Sequence, residues 1–137
     1  MDFTINVKKG MGELLFGMTV DDVKRILGEP ADNDVIDNGF DEEALVFDYY
    51  DLGLTLFFEG ETRLLSCIES YSDDTLLFGK KVSELNDKEI VQLMVVNNYF
   101  EEDIEAETWG EKRISFGEAN IDFFFENDEL VSILFGK

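Results

Sequence analysis

The chain repeats itself, and whatever one copy builds the other must build as well. Leu14-Leu15-Phe16-Gly17-Met18-Thr19-Val20-Asp21-Asp22-Val23 aligns with Leu76-Leu77-Phe78-Gly79-Lys80-Lys81-Val82-Ser83-Glu84-Leu85 at a constant offset of 62, with five of ten positions identical. Further on, Leu54-Thr55-Leu56-Phe57-Phe58-Glu59 aligns with Ile121-Asp122-Phe123-Phe124-Phe125-Glu126 at an offset of 67, so the second copy carries five extra residues between the landmarks. Two divergent copies, approximately 1–70 and 71–137, cover most of the chain. A unit of about 65 residues is marginal alone. The copies are therefore expected to share one core in a single domain, 1–137.

Each copy reads as a helix followed by an antiparallel meander. Phe3, Ile5 and Val7 alternate as a strand would, and Gly10-Met11-Gly12 reads as a turn. Thr19 is placed as an N-cap whose hydroxyl accepts an orphan amide of the first turn, with Asp21 and Asp22 suiting the dipole. Val20, Val23, Ile26 and Leu27 make an apolar stripe and Gly28 and Pro30 stop it, which predicts a helix over 20–27. From Leu45 the period becomes two, with strands expected near 45–50, 54–58 and 63–69. In the second copy Asn86 and Glu89 have capping-box spacing, Ile90, Leu93, Met94 and Asn97 mark one face, and strands are expected near 112–116, 120–125 and 130–135. The predicted fold is α+β: two tandem helix-plus-meander repeats forming one sheet, helices on one face and the other face open.

The phrase Phe16-Gly17-Met18-Thr19-Val20-Asp21-Asp22-Val23-Lys24-Arg25-Ile26-Leu27-Gly28-Glu29-Pro30 resembles the FGMT-x-x-x-V-x-x-x-LG-x-P opening of the small outer-membrane lipoprotein assembly family and of the beta-lactamase inhibitory protein family. The tandem arrangement is most similar to the latter. That resemblance implies two repeats side by side, forming a concave sheet that grips an enzyme. The second copy keeps Phe78-Gly79 but has Lys80-Lys81 in place of Met-Thr. No lipobox or paired cysteines accompany the motif, so the fold transfers while target and compartment do not.

Composition then removes whole classes of chemistry. With 32 Asp and Glu against 11 Lys and Arg the formal charge is −21, which disfavours nucleic acid and anionic membranes and favours a basic protein partner. The 13 Phe and 45% hydrophobic content are too high for a disordered acidic chain. No His is present, removing the commonest general base and zinc ligand, and no enzyme activity or cofactor is expected. Carboxylate pairs carry no information in so acidic a chain. Cys67 lies among Leu64, Leu65 and Ile68 and reads as a small core residue. The N-terminal segment has no apolar h-region and no run approaches a membrane span, so a cytoplasmic protein is expected.

Two segments concentrate the charge: Asp32, Asp34, Asp37, Asp41, Glu42 and Glu43, then Glu101, Glu102, Asp103, Glu105 and Glu107. Each lies between the helix and the meander of its copy. They are read either as a surface complementary to a basic protein or as solvated loops that maintain solubility. A calcium loop fits poorly: with Gly39 as the loop glycine the ligand positions become Asp34, Ile36 and Asn38, and Leu45 closes it. No metal is expected.

Alternation along the strands supplies the remaining candidates. Leu54, Leu56 and Phe58 share a face with Ile121, Phe123 and Phe125, whereas Thr55 and Phe57 share the other with Asp122 and Phe124. The second set is the expected open face, extended by Asp48 and Tyr50, unless a loop or second subunit covers it or the aromatics complete a core. Leu64-Leu65-Ser66 and Leu130-Val131-Ser132 are apolar on both faces, which leaves their orientation open. Phe40, Trp109 and Tyr71 fall in irregular segments; Phe40 and Trp109 join the partner-binding set. The expected function is that of a cytosolic immunity protein, an inhibitor that occludes the active or substrate-binding site of a cognate bacterial toxin, a basic nuclease, as in contact-dependent growth inhibition. The alternative is a housekeeping or assembly domain on the same fold.

Overall fold

The computed structural model describes residues 1–37, 43–100 and 103–137. The first copy runs β1 (Thr4–Asn6), β2 (Gly10–Met11), β3 (Leu14–Leu15), α1 (Val20–Leu27), β4 (Asp32–Asp37), β5 (Glu43–Tyr49), β6 (Leu54–Glu59) and β7 (Leu64–Ser70). The second runs β8 (Leu76–Leu77), β9 (Lys80–Lys81), α2 (Asp87–Val96), β10 (Asp103–Ala106), β11 (Glu111–Phe116), β12 (Ile121–Glu126) and β13 (Glu129–Gly136).

The expected α+β architecture of one sheet under two helices is overturned. The chain is mostly β, 48% strand against 18% helix, and its strands form two sheets. The larger has eight strands in the order β10-β11-β12-β13-β7-β6-β5-β4; the smaller has five, β3-β2-β1-β8-β9. The expected meanders are in the larger sheet, joined where β13 pairs antiparallel with β7. Two things were missed. The acidic segments read as loops contribute strands β4 and β10, which pair in register with β5 and β11 as the two sheet edges. The segments before the helices form the second sheet, from strands mostly two residues long, too short to show any periodicity. Gly10-Met11, read as a turn, is β2 itself: Met11 is fully buried, and a Cβ on Gly10 would lie 1.9 Å from the Leu14 carbonyl oxygen.

Both helices begin with the expected chemistry. The Thr19 hydroxyl accepts the Asp22 amide while the Asp22 carboxylate accepts the Thr19 amide, and Asn86 and Glu89 do the same for α2. Each box satisfies two of the orphan amides of a helix start. Val23 of α1 and Ile90, Leu93 and Met94 of α2 are the buried positions. They join one hydrophobic cluster with Ile5, Met11, Leu14 and Leu77 of the small sheet and with Leu54, Leu56, Phe58, Ile121, Phe123 and Phe125 of the large one. Strand alternation puts those last six side chains on one face, so helices and small sheet together cover that face. Phe16 and Phe78 pack at the margin of the cluster, against Phe135 and Tyr99 respectively.

Candidate functional site

Register defines the face of the large sheet turned away from the hydrophobic cluster, over which no helix or strand of the described residues packs. Following the paired residues from edge to edge, one row reads Asp103, Ser115, Asp122, Leu134, Glu69, Thr55, Asp48, Asp32, one residue from each strand. Five of these eight positions are carboxylates. Like charges directly opposite one another destabilise a sheet. Here all but the last two carboxylates alternate with neutral residues, which spaces neighbours about two strand widths, or ~9.6 Å, apart. That is roughly one screening length at physiological salt. Hydroxyls satisfy several: Thr55 Oγ1 donates to Asp48 at 2.8 Å, Ser132 Oγ to Glu69 at 3.1 Å, and the Tyr50 hydroxyl to Asp32 at 3.4 Å.

A second row differs between the copies. In the second copy it reads Glu105, Arg113, Phe124, Ser132; in the first, Asp34, Val46, Phe57, Cys67. Both copies carry a register shift at the same place, between Phe124 and Phe125 and between Phe57 and Phe58. Such bulges bend and twist a sheet locally. Beside its bulge, the second copy carries a groove of about 460 Å³ whose lining includes Glu69, Glu105, Glu107, Glu111, Arg113, Phe124 and Glu126. Glu105 holds the Arg113 guanidinium at 2.7 Å. Arg113 Nε and Ser115 Oγ, on the same face of β11, are buried polar atoms without a hydrogen-bond partner among the described residues. In the first copy, Ala44 and Val46, 4% and 8% exposed, stand on this face outside the main cluster.

The expected site residues divide accordingly. Asp48, Phe57, Asp103, Glu105, Asp122 and Phe124 share the open face, Glu107 lines the groove, and Tyr50 stands at the end of β5, 58% exposed. Partial desolvation first, then the Asp48 and Asp32 carboxylates, push the Tyr50 hydroxyl up from its ordinary value. Asp37 and Glu43 pair at the far end of β4 and β5, and alternation turns them toward the helix side. Trp109 stands at the tip of the β10–β11 connection, 66% exposed. Phe40, Asp41, Glu42, Glu101 and Glu102 lie outside the described residues. Cys67 is corrected: it is a half-buried residue of the open face opposite Phe57, not a core residue, and burial with Glu59 nearby pushes its thiol up to about 11.

Sequence reading missed Glu69, Glu111, Arg113, Glu126 and Ser132. The alternation of Glu111, Arg113 and Ser115 against Ile114 and Phe116 was an available signal. Among the described residues no group of three or more metal-ligating side chains converges, and no helix is long and apolar enough to cross a membrane.

No family model and no curated protein matches the chain. The fold is similar to that of an extracellular protein containing an SCP domain from Bacillus anthracis, with a TM-score of 0.52 and 14% sequence identity over 97% of this chain and 50% of that one. At that identity the likeness is one of fold. This chain spans about half the length of that structure.

Proposed function

We propose that this protein is a non-enzymatic inhibitor of the immunity-protein kind, which lays its open sheet face over the substrate-binding surface of a basic toxin enzyme, a nuclease being the best fit, in the cytoplasm of the cell it protects. The observation that carries the reading is the row across all eight strands in which five of the eight positions are carboxylates. A nuclease presents cations where phosphates bind, and such a row meets them while Phe57, Phe124 and Tyr50 supply dry contact. The 62–67-residue repeat with its inhibitor-like Phe16–Pro30 phrase supports the same reading.

Co-purification from the native host tests it. A basic protein should be captured at low salt and released at high salt, and its nucleic-acid hydrolysis should fall when the purified inhibitor is added. A captured enzyme whose activity is untouched by saturating amounts of this protein would overturn the reading. One observation favours an assembly or accessory domain instead: the same fold makes up about half of a larger extracellular chain.

A further inference from the structure

The two copies share the bulge and the aromatic residue, yet Arg113 stands beside Phe124 where Val46 stands beside Phe57, and that asymmetry localises recognition. We infer that the groove of the second copy seats an arginine side chain presented by a basic partner. The inference rests on the proposed inhibitor reading and deepens it by naming the group recognised.

Three observations converge. At the position where the first copy has Val46, 8% exposed, the second has Arg113 beside a groove of about 460 Å³. Phe124 contributes an aromatic wall among Glu69, Glu107, Glu111 and Glu126, and a ring face beside carboxylates suits a planar cation that stacks and donates from its edge at once. The groove already holds one guanidinium: Arg113 is clamped by Glu105 at 2.7 Å and remains about a third exposed, so a carboxylate there can grip this chemical group. Lysine's compact ammonium makes neither the stack nor the fork and is the weaker occupant.

The test is an amide-resolved NMR titration of the full chain with the peptide Ac-Gly-Arg-Gly-NH2, against Ac-Gly-Lys-Gly-NH2 and Ac-Gly-Gln-Gly-NH2. Saturable shifts confined to β10–β13 and strongest for the arginine peptide are expected. Phe124→Leu, which keeps apolar bulk and loses the ring, should weaken binding about two- to fivefold. Glu107→Gln with Glu126→Gln, both exposed positions that leave the core alone, should weaken it about three- to tenfold, and Glu61→Gln at a distant turn should not. Shifts spread evenly over acidic residues of both copies, equal affinity for the lysine peptide, or no saturation would overturn the inference. The two ideas fail separately. A captured toxin bound equally by wild type and by Glu107→Gln/Glu126→Gln removes the groove and leaves the inhibitor. Saturable arginine binding without inhibition of any captured enzyme removes the inhibitor and leaves the groove.

Discussion

Lys112→Met should destabilise the fold in a pH-dependent way. Lys112 donates its ammonium to Asp87 at the start of α2, reaches Asp128 at 3.6 Å, and lies 5.4 Å from the centre of the Phe125 ring, so one side chain ties the second helix to the sheet. Methionine keeps the stem over the ring and removes the charge. The Lys112 and Asp87 side chains are 19% and 26% exposed. That places the pair between exposed ion pairs, worth about 0.2–1 kcal/mol, and buried ones, whose disruption costs about 3–5 kcal/mol. Asp128 is 86% exposed and adds little. Asp87 retains its favourable place in the first turn of α2 after the change. The expected loss is therefore about 1.5–2 kcal/mol, or a fall in Tm of roughly 5–7 °C for a chain of this length.

The hydrogen bond from Lys112 holds the Asp87 carboxyl below its ordinary value of 3.8, and the same bond holds the Lys112 ammonium above its ordinary 10.5. A depressed acid contributes stability that is present above its unfolded value and lost as pH falls through the folded one. A raised base contributes stability present below its unfolded value and lost as pH rises through the folded one. The Tm gap between wild type and variant should be widest between about pH 5 and 9 and close at both extremes. Circular-dichroism melts across that range check it. Equal Tm values at neutral pH, or an undiminished gap near pH 2, would refute the reasoning.

Phe123→Ala should cost about 3–5 kcal/mol because the ring is fully buried, whereas Phe124→Ala on the open face should cost well under half of that; urea unfolding separates the two. If a basic partner is captured, neutralising Asp103, Glu105 and Glu107 should mainly slow association, steeply so at low salt, while Phe124→Ala or Tyr50→Ala should mainly hasten dissociation, as read by surface plasmon resonance. A salt-independent association rate would remove charge steering. The Cys67 thiol, pushed up to about 11, should alkylate slowly near pH 8 in the folded protein and rapidly in urea. Asn86→Ala should lower stability by about 1 kcal/mol through the lost cap of α2, visible as a Tm fall smaller than that of Lys112→Met.

What was legible in the sequence was local. Helix starts followed from Thr19 and from the Asn86–Glu89 spacing, because a cap is made by residues three apart in the chain. The period-two run from Leu54 to Phe58 showed which side chains face the core, because a strand's two faces are written into alternate positions. The edge strands were not legible. Asp32, Asn33 and Asp34 have low strand propensity, and a six-residue strand with every position exposed leaves no apolar signature. Pairing to β5 makes it a strand, while Asp32 Oδ1 and Asp34 Oδ1 accept the Asn33 and Val35 amides, groups that any edge strand presents along its free side. The groove was less legible still. Glu69, Arg113 and Phe124 lie far apart in sequence and meet only because register across four strands, shifted by a bulge at Phe124, sets them on one face. Alternation tells which residues share a face within one strand; only the pairing of strands decides which residues become neighbours across it, and that is a property of the folded sheet.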